Sequence, residues 1–109
     1  MRTIPKDLWA NDETWIVQLW LLNNEGAQKI AKKASEEAWA AARDDHLLSR
    51  MDNAIVLLAG WLKESIESNN PLNQRERDMY SELVARGLDR VEWREIAKQW
   101  LLEIAAGRD

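Results

Sequence analysis

Cysteine and phenylalanine are absent from this chain, and histidine and tyrosine each occur once. Without cysteine there is no disulfide framework, no thiolate nucleophile and no cysteine-based zinc or iron–sulfur site. Glycine (4) and proline (2) are scarce, so turns are few and long helices are favoured over many short strands. Neither sign of charge dominates: 15 basic side chains against 19 acidic ones give a net charge of −4. That balance offers no general attraction to nucleic acid, whose binding rests on neutralised phosphates, and is too even for a DNA mimic. Long apolar runs are missing as well. The strongly apolar stretch Trp15 to Leu22 is broken by Gln18 and falls far short of the ~20 residues of a membrane span. Arg2 and Lys6 are not followed by an apolar stretch with a small-residue cleavage site, so the expectation is a cytoplasmic protein without a signal peptide or a membrane partner.

What remains is a length of 109 residues, enough for one domain that buries about two-thirds of its unfolded surface. Hydrophobic residues make up 46% and charged ones 31%, a globular rather than disordered balance. Seven tryptophans carry nearly all the aromatic content. Each would remove on the order of 200 Å² from water if buried and still needs a partner for its indole N–H. Such residues either build the core of a small domain or anchor a binding surface.

Residues 1–11 read as an N-terminal lead-in and 12–107 as a single helical domain. Asn11 or Asp12 caps a first helix running to about Asn23. Its apolar residues occupy nearly every side, and only Thr14 and Gln18 form a polar edge. After Asn23-Asn24-Glu25-Gly26, a second helix to about Ala42 carries a stripe of Ala27, Ile30, Ala31, Ala34, Ala38 and Ala41, small enough for a neighbour to come close. Trp39 lies off that stripe. Asp44-Asp45 offers a cap for a third helix to about Asn69, with Leu47, Leu48, Met51, Ala54, Ile55, Leu58, Leu62 and Ile66 facing inward. Gly60 within it predicts close approach of another helix or a Trp ring, and Trp61 falls at the margin of the stripe. Asn73 with Glu76 predicts a capping-box start for a fourth helix through Met79, Tyr80, Leu83, Val84 and Leu88. In the fifth, Val91 and Ile96 predict a hydrophobic staple around Glu92, and Glu95 sits where a capping box places its carboxylate. Trp93 and Trp100 lie central on its stripe and are assigned to the core. No strand-like alternation occurs, so the expected fold is all-α: a compact five-helix bundle.

Chemistry is thinly represented. His46 beside Asp44 and Asp45 is the one cluster from which a hydrolytic or metal site could be assembled, but zinc recruits several nitrogen or sulfur ligands and none joins it. His46 is therefore read as a surface residue in the first turn of the third helix. There is no Gly-rich phosphate loop and no nucleophile elbow. No catalytic residue, cofactor or metal is expected, and the chain is read as a non-enzyme. A basic run of Arg75, Arg77, Arg86, Arg90 and Arg94, with Tyr80 and Trp93 interleaved, makes nucleic-acid binding the alternative function. Glu76, Asp78, Glu82, Asp89, Glu92 and Glu95 in the same stretch offset it.

Thr14-Trp15 followed by Leu19-Trp20 and Asn23, then Asn70-Pro71-Leu72, then Val91-Glu92-Trp93-Arg94-Glu95-Ile96-Ala97 resembles a family of small Trp-rich proteins encoded by phages, plasmids and related mobile elements. The similarity spans about residues 15 to 105, and Glu92 stands where aspartate, a stronger cap, is expected. The resemblance implies a mobile-element origin, hence a host bacterial cytoplasm, and transfers no catalytic residue. Together with size and tryptophan content it predicts a module that binds a host protein or complex, in its most concrete form an inhibitor of a host defence complex such as CRISPR. Because helix 1 is apolar on nearly every side, either helices 2, 3 and 5 surround it completely or Trp15 or Trp20 faces outward. The candidate partner-binding residues are Trp9, Trp15, Trp20, Trp39 and Trp61, and homodimerisation through them fits the sequence equally well.

Overall fold

A computed structural model describes residues 4–69 and 78–107. Among these residues the chain is an all-α, single-domain bundle of five helices: α1 (Asp12–Asn23), α2 (Glu25–Ala41), α3 (Arg50–Ser68), α4 (Met79–Asp89) and α5 (Trp93–Ala106). A single 3-10 turn, Lys6–Leu8, precedes them, and no described residue is in a strand. Helices α2, α3 and α5 each pack on the other two, while α1 lies across α2 and α5. Leu58 and Leu62 of α3 and Ile96 and Leu101 of α5 are the innermost large side chains. Trp93 and Trp100 lie in the core as their place on the α5 stripe requires.

Helix α1 is organised against its own composition. Its buried residues are Thr14, Gln18 and Leu21, so the polar edge turns inward, while Ile16 and Trp20 face out. The cause is hydrogen bonding that the rest of the bundle supplies. Asn11 caps the helix by accepting from the Thr14 amide (2.9 Å) and the Thr14 hydroxyl (2.7 Å). Thr14 Oγ1 in turn accepts the Glu92 amide at 2.8 Å, and Gln18 Oε1 accepts the Trp100 indole N–H at 2.9 Å. Pairing of this kind offsets the cost of burying polar groups.

Several local expectations are corrected. Helix α3 begins at Arg50, not after Asp44-Asp45, because Asp45 bonds the backbone of a preceding turn and Asp44 reaches the first amide of the helix. Asp45 Oδ1 accepts from the amides of Leu47 and Leu48, each at 2.7 Å, and Asp44 Oδ1 accepts from the Arg50 amide. Short acidic side chains compete with helix in this manner, and Ser49 becomes the cap. Leu47 and Leu48 are consequently exposed rather than inside. Gly60 meets no close neighbour: a Cβ there would contact nothing within 4 Å. In α2, Asn24 is the cap, so Glu25 and Gly26 belong to the helix, and Ile30 leaves the core stripe for the surface. The capping box expected at Asn73 and Glu76 lies outside the described residues. The described part of α4 starts at Met79, where Asp78 and Ser81 form a reciprocal capping box. At α5 the staple residues Val91 and Ile96 are both buried, but the box is not made. Glu95 reaches across the molecule and accepts the Ala10 amide at 2.9 Å.

Candidate functional site

Two apolar side chains of the outward face, Trp20 and Trp61, stand at a groove of about 670 Å³. Helix α1 contributes Trp20 and Leu21, the junction residue Asn24 follows, and α2 contributes Gly26, Ala27, Ile30 and Ala31. The last turns of α3 add Trp61, Leu62, Ser65 and Ile66, its cap Asn69 follows, and α4 closes one side with Val84 and Leu88. None of these is charged. The polar groups present are largely spent on local backbone: Asn24 Oδ1 accepts the Ala27 amide that starts α2, and Asn69 Nδ2 donates to the Ser65 carbonyl at 2.7 Å. The small residues of α2 thus do more than admit a neighbouring helix. At the N-terminal end of α2, Gly26, Ala27 and Ala31 leave the space that makes the groove.

Of the five candidate tryptophans, the structure brings only Trp20 and Trp61 together. Trp20 is 57% exposed and Trp61 39%, so both keep apolar surface in water. Trp15 is half-buried; its indole N–H donates to the Ile4 carbonyl at 2.9 Å and Lys6 Nζ lies 5.8 Å from its ring centre. Trp9 packs against the core near Gln18 and Trp100, away from the groove. Trp39 is held by Arg50, whose guanidinium stacks 4.1 Å from the ring and donates twice to the Trp39 carbonyl. Sequence reading missed Ile30, which is 59% exposed at the groove, because it shares the alanine stripe of α2. It also missed Val84 and Leu88 as groove walls, since an amphipathic pattern does not say whether a neighbour covers it.

The basic run is only partly described, since Arg75 and Arg77 lie outside the described residues. Arg86 and Arg94 are exposed, whereas Arg90 pairs with Glu13 at 3.3 Å and gives its carbonyl to the Asn11 side chain. His46 is exposed in the loop between α2 and α3, not in the first turn of a helix. Its neighbour Asp45 is committed to structure: the amides of Leu48 and Leu47 and the side chain of Asn53 hold its carboxyl below the ordinary aspartate value. Among the described residues no group of three or more His, Asp or Glu side chains is placed to hold a metal ion. No helix there is long and apolar enough to cross a membrane. No protein-family model matches the chain, no curated protein matches it, and no solved structure matches it.

Proposed function

We propose that this chain is a non-enzymatic protein-binding module that docks an amphipathic helix of a protein partner in the groove between α1, α2, α3 and α4. The observation that supports this reading is the groove itself: uncharged, long enough to run beside two turns of α3, and flanked by Trp20 and Trp61. Partly exposed tryptophans around an apolar depression match the anchors of helix-in-groove recognition. The polar groups along it are too few, and too occupied by helix caps, to orient a reacting substrate. The narrower reading, an inhibitor of a host defence complex such as CRISPR, rests on the resemblance to phage and plasmid proteins alone.

The test is photo-crosslinking from position 30 inside a bacterial host, followed by sequencing of the attached peptide. The reading requires a protein, foreign or a second copy, joined through an amphipathic helical stretch, and loss of that product in Trp20→Ser and Trp61→Ser variants that remain folded. A crosslink that persists in both variants overturns it. So does DNA binding by the purified chain that collapses steeply with salt and depends on Arg86 and Arg94, which would favour the basic run instead.

A further inference from the structure

Helix α4 is the least supported element of the bundle. Its 11 residues are fewer than the ~12–15 at which an isolated helix begins to hold in water, and none of them is buried. Val84 and Leu88 turn toward the groove, while Tyr80 and Leu83 are each 61% exposed along the adjoining edge. Beside this edge, Trp20, Ile30 and Trp61 leave apolar surface uncovered. These five side chains expose on the order of 500 Å² together, which is most of the apolar centre of a standard interface taking about 800 Å² from each partner, polar rim included.

We propose that a second copy of this chain covers the groove, with the Tyr80–Leu83 edge of α4 from each copy lying against Trp20, Ile30 and Trp61 of the other. This inference rests on the reading of the groove as a protein-docking surface and names its occupant. A two-fold arrangement satisfies both deficits at once, because each chain carries one groove and one under-packed apolar helix edge, and the contact closes on itself. Two chains of net charge −4 repel at long range, but the groove lining carries no charge, so that repulsion is not concentrated at the groove. The exchange gives α4 the packing that its length cannot replace.

Sedimentation over about 1 to 200 µM, the range expected to expose a modest interface, tests this with wild-type chain. A dimer is expected. Leu83→Glu and Ile30→Lys should each raise the dissociation constant at least ~100-fold, because an unpaired charge then enters an apolar contact, with helical circular dichroism unchanged. Mixing the two variants should restore association, since the heterodimer keeps one native contact and pairs the two new charges in the other. Because the chain has no cysteine, Leu83→Cys mixed with Ile30→Cys supplies a second measurement: the mixed disulfide should form faster than either symmetric one. A wild-type chain that stays monomeric overturns the dimer while leaving the groove open to a foreign helix. A dimer that survives both charged variants, or that yields no mixed disulfide, overturns this interface. Groove crosslinks to neither this chain nor a foreign protein overturn the docking reading as well.

Discussion

Thr14, in the first turn of α1, receives the backbone N–H of Glu92 on its hydroxyl at 2.8 Å, joining residues 78 apart in sequence. The same hydroxyl donates to Asn11 Oδ1, and Asn11 Nδ2 donates to the Arg90 carbonyl at 2.6 Å. With the Arg90–Glu13 pair and the Ala10–Glu95 bond, the start of α1 is fastened to the α4–α5 connection. Thr14→Val keeps the shape and removes the acceptor, leaving the Glu92 amide without its partner at a partly buried site. The expected loss is about 1–3 kcal/mol in urea unfolding, with Thr14→Ser losing less. Equal losses for Val and Ser would show that shape, not the hydroxyl, matters there.

Gln18 and Trp100 form the other buried polar contact of α1. Gln18→Leu and Trp100→Phe should each destabilise, the first by stranding the indole N–H. The double variant should be more stable than the sum of the two losses predicts, because neither orphan then remains. A strictly additive cycle would mean that the two side chains are energetically independent.

Tryptophans of different burial should separate cleanly in thermal unfolding. Trp93, 8% exposed, should cost about 3–5 kcal/mol on replacement by alanine. Trp20→Ser, at a surface groove, should stay within about 1 kcal/mol of wild type when measured at a concentration low enough to hold monomer. A large loss at Trp20 in monomer would place it in the folding core and weaken its role as an anchor.

Gly60 has open space around its α-carbon in the middle of α3. Gly60→Ala should therefore stabilise the protein by about 0.5–1 kcal/mol, since alanine lowers the unfolded chain's entropy and adds no clash. A decrease in melting temperature would indicate that something does approach this face in solution.

Asp45 carries an acid-side dependence. Its folded-state value lies below the ordinary 3.8 because the amides of Leu48 and Leu47 and the Asn53 side chain favour the carboxylate. The stabilisation is thus complete above pH 3.8 and is lost as pH falls through the lower folded value. Melting temperatures followed from about pH 6 to pH 2 should fall less steeply for Asp45→Ala than for wild type. Parallel curves would remove Asp45 from the acid response.

The helical class, the stripes of α3 and α5 and the interior placement of Trp93 and Trp100 were legible from periodicity alone, because a 3.6-residue repeat of large apolar groups has one stable solution in water. Whether the other helices enclose α1 or leave one of its tryptophans outside was not legible, nor was the way α1 rotates; Trp20 is the one that faces out. Composition favours burying Ile16 and Trp20, and the fold buries Thr14 and Gln18 because the Glu92 amide and the Trp100 indole, 78 and 82 residues away, wait there as donors. The long reach of Glu95 to Ala10 has the same origin, a partner that only the folded chain brings near; the late start of α3 is local, because Asp45 takes the amides of Leu47 and Leu48 two and three residues on. The groove follows the same logic, for the sequence determines that Ile30, Val84 and Leu88 are apolar, whereas the placement of four helices decides that they line an opening rather than a core.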